Sequence, residues 1–169
     1  MEIREHGLVR QNYFMKNYDD QRISFPVPEG WLVRQDESDN ILYNDPSDSE
    51  TWCFVQLGGL RPKAPDEPLP SARNALSGCY EKELAINAAT ITNLGESRAF
   101  IEWPEITKPD GREFVVYHFH LASSTTSGEI QLADFSLAVP SAIKDTPKVS
   151  RLKELVREQI RVAKFHEWQ

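Results

Sequence analysis

The chain has 169 residues, 40% hydrophobic and 27% charged, with a formal net charge of −7. That is the length of one domain, and the composition lies well away from the low-hydrophobicity, high-charge regime of disordered chains. The acidic balance excludes binding to nucleic acid or anionic lipid driven by overall charge, and the apolar runs fall far short of the roughly 18 residues needed to cross a bilayer.

Glu2 and Glu5 stand where a secretory signal would carry basic residues, and no apolar stretch follows, which points to a cytoplasmic protein. Residues 1–21 form an N-terminal extension, polar except around Tyr13, Phe14, Met15 and Tyr18, whose pattern leaves strand and short helix both open. Residues 22–169 read as a single domain. In its first strand, 23–27, Ile23, Phe25 and Val27 share one face, while Pro26 and Pro28 withhold two amide donors and confine the segment to a sheet edge or strand end. Gly30 lets the chain turn into Trp31. Strands follow at 31–35, 40–44 and 51–58; the last is apolar on both faces, Trp52 and Phe54 against Cys53, Val55 and Leu57, as suits a central strand.

Pro62, Pro65, Pro68 and Pro70 make 61–70 an extended connector. Ser71 then caps a helix whose buried stripe runs through Ala72, Ala75, Leu76 and Cys79 toward Leu84. The second half is a meander. Strands 90–94 and 97–103 join at Gly95, and Pro109-Asp110-Gly111 closes a hairpin onto strand 113–122, where Val115, Tyr117, Phe119 and Leu121 form one face. Past Ser127 and Gly128, strand 129–139 changes its apolar face near Ala133, as at a bulge, and ends at Pro140. Thr146 followed by Pro147 starts a helix with Val149, Leu152, Val156, Ile160 and Ala163 in one stripe, broadened by Leu155 and Val162; Phe165 and Trp168 close the chain.

Strands, helix, strands, helix describe an α+β sandwich, an antiparallel sheet with helices packed on it. With Phe25-Pro26-Val27-Pro28-Glu29-Gly30-Trp31 at the front and Phe135 to Pro140 leading into a helix that ends in Phe165, residues 22–165 resemble the PsbP-like, or Mog-type, fold group. The resemblance implies a protein-binding role without catalysis. That group holds photosystem-associated lumenal proteins, a Ran-binding nuclear transport factor, bacterial lipoproteins, and small chaperone and immunity-like proteins linked to type VI secretion. The last are nearest in character to this chain, so the partner is read as another protein. The resemblance supplies no functional residues and no oligomeric state.

For chemistry, His118-x-His120 is the best local candidate. Alternate strand residues project to one side about 7 Å apart and can share a metal given a third ligand, here Glu102 across the hairpin, His166 or His6. Alternatively both histidines lie on the wetter face of their strand. Cys53 and Cys79 read as two buried thiols. A Gly-x-Ser-x-Gly elbow is absent, Gly58-Gly59 is too short to cradle a phosphate, and no cofactor is expected. Between residues 36 and 50 the chain carries Asp36, Glu37, Asp39, Asp45, Asp48 and Glu50 with no Lys or Arg, a candidate surface for a basic partner. Its spacing lacks the alternation and central glycine of a calcium loop. In the final helix, Glu154 and Glu158 precede Arg157 and Arg161 by three residues, the spacing of exposed intrahelical pairs. A third possibility is a carrier in which Trp31, Trp52 and Trp103 line an apolar pocket.

Overall fold

The computed structural model describes residues 13–62, 64, 66 and 68–167. In chain order its elements are β1 (Met15–Asp19), β2 (Ile23–Pro28), β3 (Leu32–Gln35), β4 (Ile41–Asn44), β5 (Trp52–Leu60), α1 (Ala72–Cys79), α2 (Glu81–Ile86), β6 (Thr90–Asn93), β7 (Arg98–Thr107), β8 (Phe114–Ser124), β9 (Ile130–Pro140), α3 (Pro147–Val162) and β10 (Lys164–Phe165). The strands divide between a seven-stranded sheet, ordered β3-β4-β5-β9-β8-β7-β6, and a three-stranded sheet, β1-β2-β10. Every strand pair is antiparallel. This is an α+β fold in which helices and the smaller sheet cover parts of the larger one.

Two cores lie on opposite faces of the large sheet. In the first, the buried stripe of α3 (Val149, Leu152, Val156, Ile160) and Ile23, Phe25 and Val27 of β2 pack on Phe119, Phe135, Leu137 and Val139. In the second, Ala72, Ala75 and Leu76 of α1 pack on Ala99, Ile101, Trp103, Ala122 and Ile130. Small side chains on α1 let its backbone come close to the sheet.

Several expectations need correction. The apolar face of β9 changes without a bulge, since its pairing runs unbroken from Leu60↔Ile130 to Trp52↔Ala138 against β5 and from Ser124↔Ile130 to Phe114↔Pro140 against β8. Ile130 and Leu132 face α1 while Ala133, Phe135 and Leu137 face α3, so both faces of the strand are covered in turn. β2 lies between two strands, yet β10 reaches only Ser24 and Ile23; the half bearing Pro26 and Pro28 is paired by β1 alone and so is locally an edge. The extension contributes β1, which pairs with β2 from Ser24 to Pro28.

The first helix is not continuous. Tyr80 leaves helical geometry (φ −124°, ψ 33°) between α1 and α2, and Cys79 beside it is exposed. Cys53 is buried, and burial pushes its thiol up to about 12. Ser71 caps α1 as expected, accepting from the Asn74 amide at 3.2 Å. Thr146 sits at the N-cap position of α3 but donates its hydroxyl backward to the Ile143 carbonyl at 2.7 Å. Val162 is 44% exposed, outside the buried stripe. His6 and Trp168 lie outside the described residues.

One polar side chain crosses the first core. Gln159 of α3 is fully buried; its Oε1 accepts from the Tyr43 hydroxyl of β4 at 2.6 Å, and its Nε2 donates to the Pro26 carbonyl of β2 at 2.9 Å. Replacing it with leucine leaves a buried hydroxyl and a carbonyl without partners, each costing about 1–3 kcal/mol, whereas Tyr43→Phe deprives only the Gln159 oxygen. Gln159→Leu is therefore expected to lower unfolding free energy by about 2–6 kcal/mol in urea titration, and Tyr43→Phe by about half as much. An equal or greater loss in the tyrosine variant would contradict the bridging role.

Candidate functional site: the open face of the large sheet

α1 lies over β6, β7 and β8, and among the described residues no helix or second sheet covers the other end of that sheet face. Register shows what the uncovered part presents. Arg34, Leu42, Phe54, Ser136, His118 and Trp103 are successive cross-strand partners from β3 to β7, a single row across six strands. Beside it runs a second row, Trp52, Ala138, Val116 and Glu105. Leu42, Trp52, Phe54 and Val116 are half-buried by their neighbours in the sheet, and Leu32 next to them is 59% exposed. Arg34 lies 5.2 Å over the Trp52 ring. The alternation of β5 had shown apolar residues on both faces; among the described residues Cys53 and Val55 join the first core, while Trp52 and Phe54 on the other face join neither.

The histidines stand where this open face meets α1. Trp103 stacks on His118 at 4.8 Å between ring centroids and meets His120 edge-on at 4.7 Å. Glu102, the expected third ligand, projects to the opposite face: it pairs with Phe119 in register and binds Arg157 of α3 at 2.8 Å. The acid beside His118 is Glu105, 2.8 Å from Nε2. His166 meets Asp19 instead. Among the described residues no three His, Cys, Asp or Glu side chains converge as a metal would require.

Of the pair on β8, only His118 reaches solvent. His118 has a side chain 18% exposed, with the Ser136 hydroxyl 3.3 Å from Nδ1. A carboxylate only accepts, so Nε2–H donates to Glu105 and Nδ1 accepts from Ser136. Hydroxyl, imidazole and carboxylate in this order match a nucleophilic triad. Ser136, however, lies mid-strand with partners on both sides, so the nearby backbone amides belong to the ladders and cannot gather into an oxyanion hole.

His120 is buried, and the sequence pattern pointed to neither of its partners. The Tyr80 oxygen lies 2.6 Å from its Nδ1, held there by the break between α1 and α2, and an Asp134 oxygen lies 3.3 Å from the same atom without making a hydrogen bond. Burial, helped by His118, drives His120 down to about 3; burial alone raises Asp134 to about 6. Burial also pushes the Tyr80 hydroxyl up. Asp134 faces His120 directly across β9 and β8, which a sequence alone could show only once the register was known.

The other candidates separate. Trp31 lies in the first core, Trp103 in the second and Trp52 on the open face, so they line no common pocket. Among the acidic residues, Asp36 accepts from the Ser38 and Asn40 amides and the Asn40 side chain, which hold its carboxyl below the usual range. Asp45 accepts from Ser47, Asp48 pairs with Lys148 at 2.6 Å, and Glu50 pairs with Arg112 at 2.7 Å. Asp39 sits at φ 61° in the turn, its carbonyl accepting from Arg22. Glu37 is exposed beside them. Most of this segment therefore shapes turns or balances nearby cations.

No protein-family model matches this chain, and no curated protein matches it in sequence. Solved structures do share its fold. LpqN, involved in cell envelope biogenesis of Mycobacterium tuberculosis, is 13% identical with a TM-score of 0.59 over 96% of both chains. The Ran-binding protein Mog1p of Saccharomyces cerevisiae is 15% identical with a TM-score of 0.50 over 90% of this chain and 95% of its own. A protein of Bacteroides thetaiotaomicron is 14% identical with a TM-score of 0.57; the match covers 86% of this chain and 45% of that one. The architecture is thus one shared with LpqN and Mog1p. No helix among the described residues is long and apolar enough to cross a membrane.

The buried pair has a signature in acid. Unfolded, the histidine takes a proton below about pH 6.5; folded, His120 resists until about 3, so its contribution is present above 6.5 and lost toward 3. Asp134 behaves oppositely, with a contribution present below about 3.9 and lost as pH rises through about 6. From pH 6 to 4 the two cancel. In Asp134→Asn the cancellation is removed, and its stability relative to the parent should fall by about 1.4 kcal/mol for each unit from pH 6 down to 4. Urea midpoints across that range measure the difference, and a constant difference would refute the assignment.

Proposed function

We propose that this protein is a non-catalytic binding domain that holds another protein against the open face of its seven-stranded sheet. The observation that carries the reading is the row from Arg34 to Trp103, with Leu42 and Phe54 at its centre and Trp52 and Val116 beside them. An apolar strip with aromatic anchors and a charged end is what a protein interface needs. The fold of Mog1p, a Ran-binding protein, offers a precedent for a macromolecular partner on this architecture. Against catalysis stands the Ser136 environment, whose amides are engaged in strand pairing.

Within this reading the chain acts in the bacterial cytoplasm as a chaperone or immunity protein for a secreted partner. That finer role rests on the sequence resemblance described above. The turn acids, of which Glu37 and Asp39 are the least engaged, form a second candidate surface for a basic partner.

Affinity capture from the native host separates the surfaces. Trp52→Ala with Phe54→Ala should weaken retention of the partner at least about 30-fold, the effect of truncating an interface hot spot, while the fold survives because these side chains are only half-buried. Glu37→Lys with Asp39→Lys should leave retention within about threefold, as for charges at an interface rim. The reverse pattern would move the interface to the acidic turns.

A further inference from the structure

We propose that the free edge of β7 is a second docking site, which takes an extended, acidic segment of a partner protein as an added strand. β6 begins at Thr90, opposite Glu102, so among the described residues no strand lies against the outer side of β7 from Trp103 to Thr107. Ala88, at φ 51°, breaks the extended course of the chain just before β6 and, with Thr90, lines the near end of the cleft beside this edge. Pro104 is tolerated here because an edge can spare an amide. Ile106 beside it is 61% exposed.

Between this edge and α3 runs a cleft of about 160 Å³, lined by Trp103, Pro104, Tyr117, Phe119, Lys153 and Arg157. Its two cations differ. Arg157 is already neutralised by Glu102 and Glu154 and lies over Phe119. Lys153 holds its ammonium 4.6 Å over the Tyr117 ring and has no carboxylate partner among the described residues. Tyr117 and Pro104 are register partners, so a residue added opposite Pro104 extends that row by about 4.8 Å and brings its side chain beside Lys153. An acid at that position meets the ammonium. Two residues along, on the same face, an apolar side chain packs on Ile106. Main-chain hydrogen bonds would hold the segment and these two positions would select it. Pro104 and Glu105 blunt indiscriminate strand pairing, leaving recognition to the cleft.

The probe is a display library of random 12-residue peptides panned on the full chain, with recovered peptides measured by fluorescence polarisation. Recovered sequences should share an acidic residue two positions from an apolar one. Their affinity should drop at least about tenfold in Lys153→Glu and persist in Lys153→Arg. It should also persist in Trp52→Ala with Phe54→Ala, and bound peptide should slow exchange of the Ile106 amide, which the ladder directs to the outer side of β7. Circular dichroism confirms that each variant is folded. Failure to enrich any peptide, undiminished binding to Lys153→Glu, or protection appearing on β5 and β9 instead would overturn the proposal.

Discussion

Three layers of this molecule meet at one amide. Gln159 reaches from α3 to Tyr43 in the large sheet and to Pro26 in the small one, with no exposure to solvent. The apolar contacts around it, Phe25 against Phe135 and against Tyr43, are non-directional and would tolerate sliding of one sheet over the other. The amide is not tolerant. A buried hydrogen-bonding group satisfied at both ends fixes the helix in rotation and the small sheet in position. Through α3 it also helps place Lys153 and Arg157 at the β7 edge.

Period-two alternation made most strands legible, because a side chain's face is fixed by its position along the strand. Ser71 and the Thr146-Pro147 pair marked helix starts, and the glycines at 30, 95, 111 and 128 all adopt the positive φ that their turns require. Register was out of reach. Without it, Glu102 could be placed on the histidine face, and the face change in β9 looked like a bulge. Asp134 and Tyr80 stayed hidden because each approaches His120 from a distant part of the chain. Which side of β5 is covered depended likewise on where α1 comes to rest, and no local pattern encodes that.

The two faces of the large sheet divide the work. One is closed by α3 and the small sheet over a core of large aliphatic and aromatic side chains. The other is closed only in part, by a helix whose inward face is mostly alanine. Polar side chains concentrate at that boundary: His118, His120, Asp134 and Ser136 occupy adjacent positions on β8 and β9. They set a limit to the second core and leave the apolar rows beyond it facing outward.

The small sheet unites opposite ends of the chain. β10 follows α3 directly and pairs with Ile23 and Ser24, and the His166 amide continues the contact by donating to the Arg22 carbonyl at 2.9 Å. Such pairing of segments far apart in sequence adds loop-closure entropy and slows folding. On a ribosome, β2 emerges well before the helix and the closing strand that cover it. Ile23, Phe25 and Val27 therefore stay without their final covering until α3 and β10 have been made. Until then this hydrophobic strand is what a nascent-chain chaperone would meet.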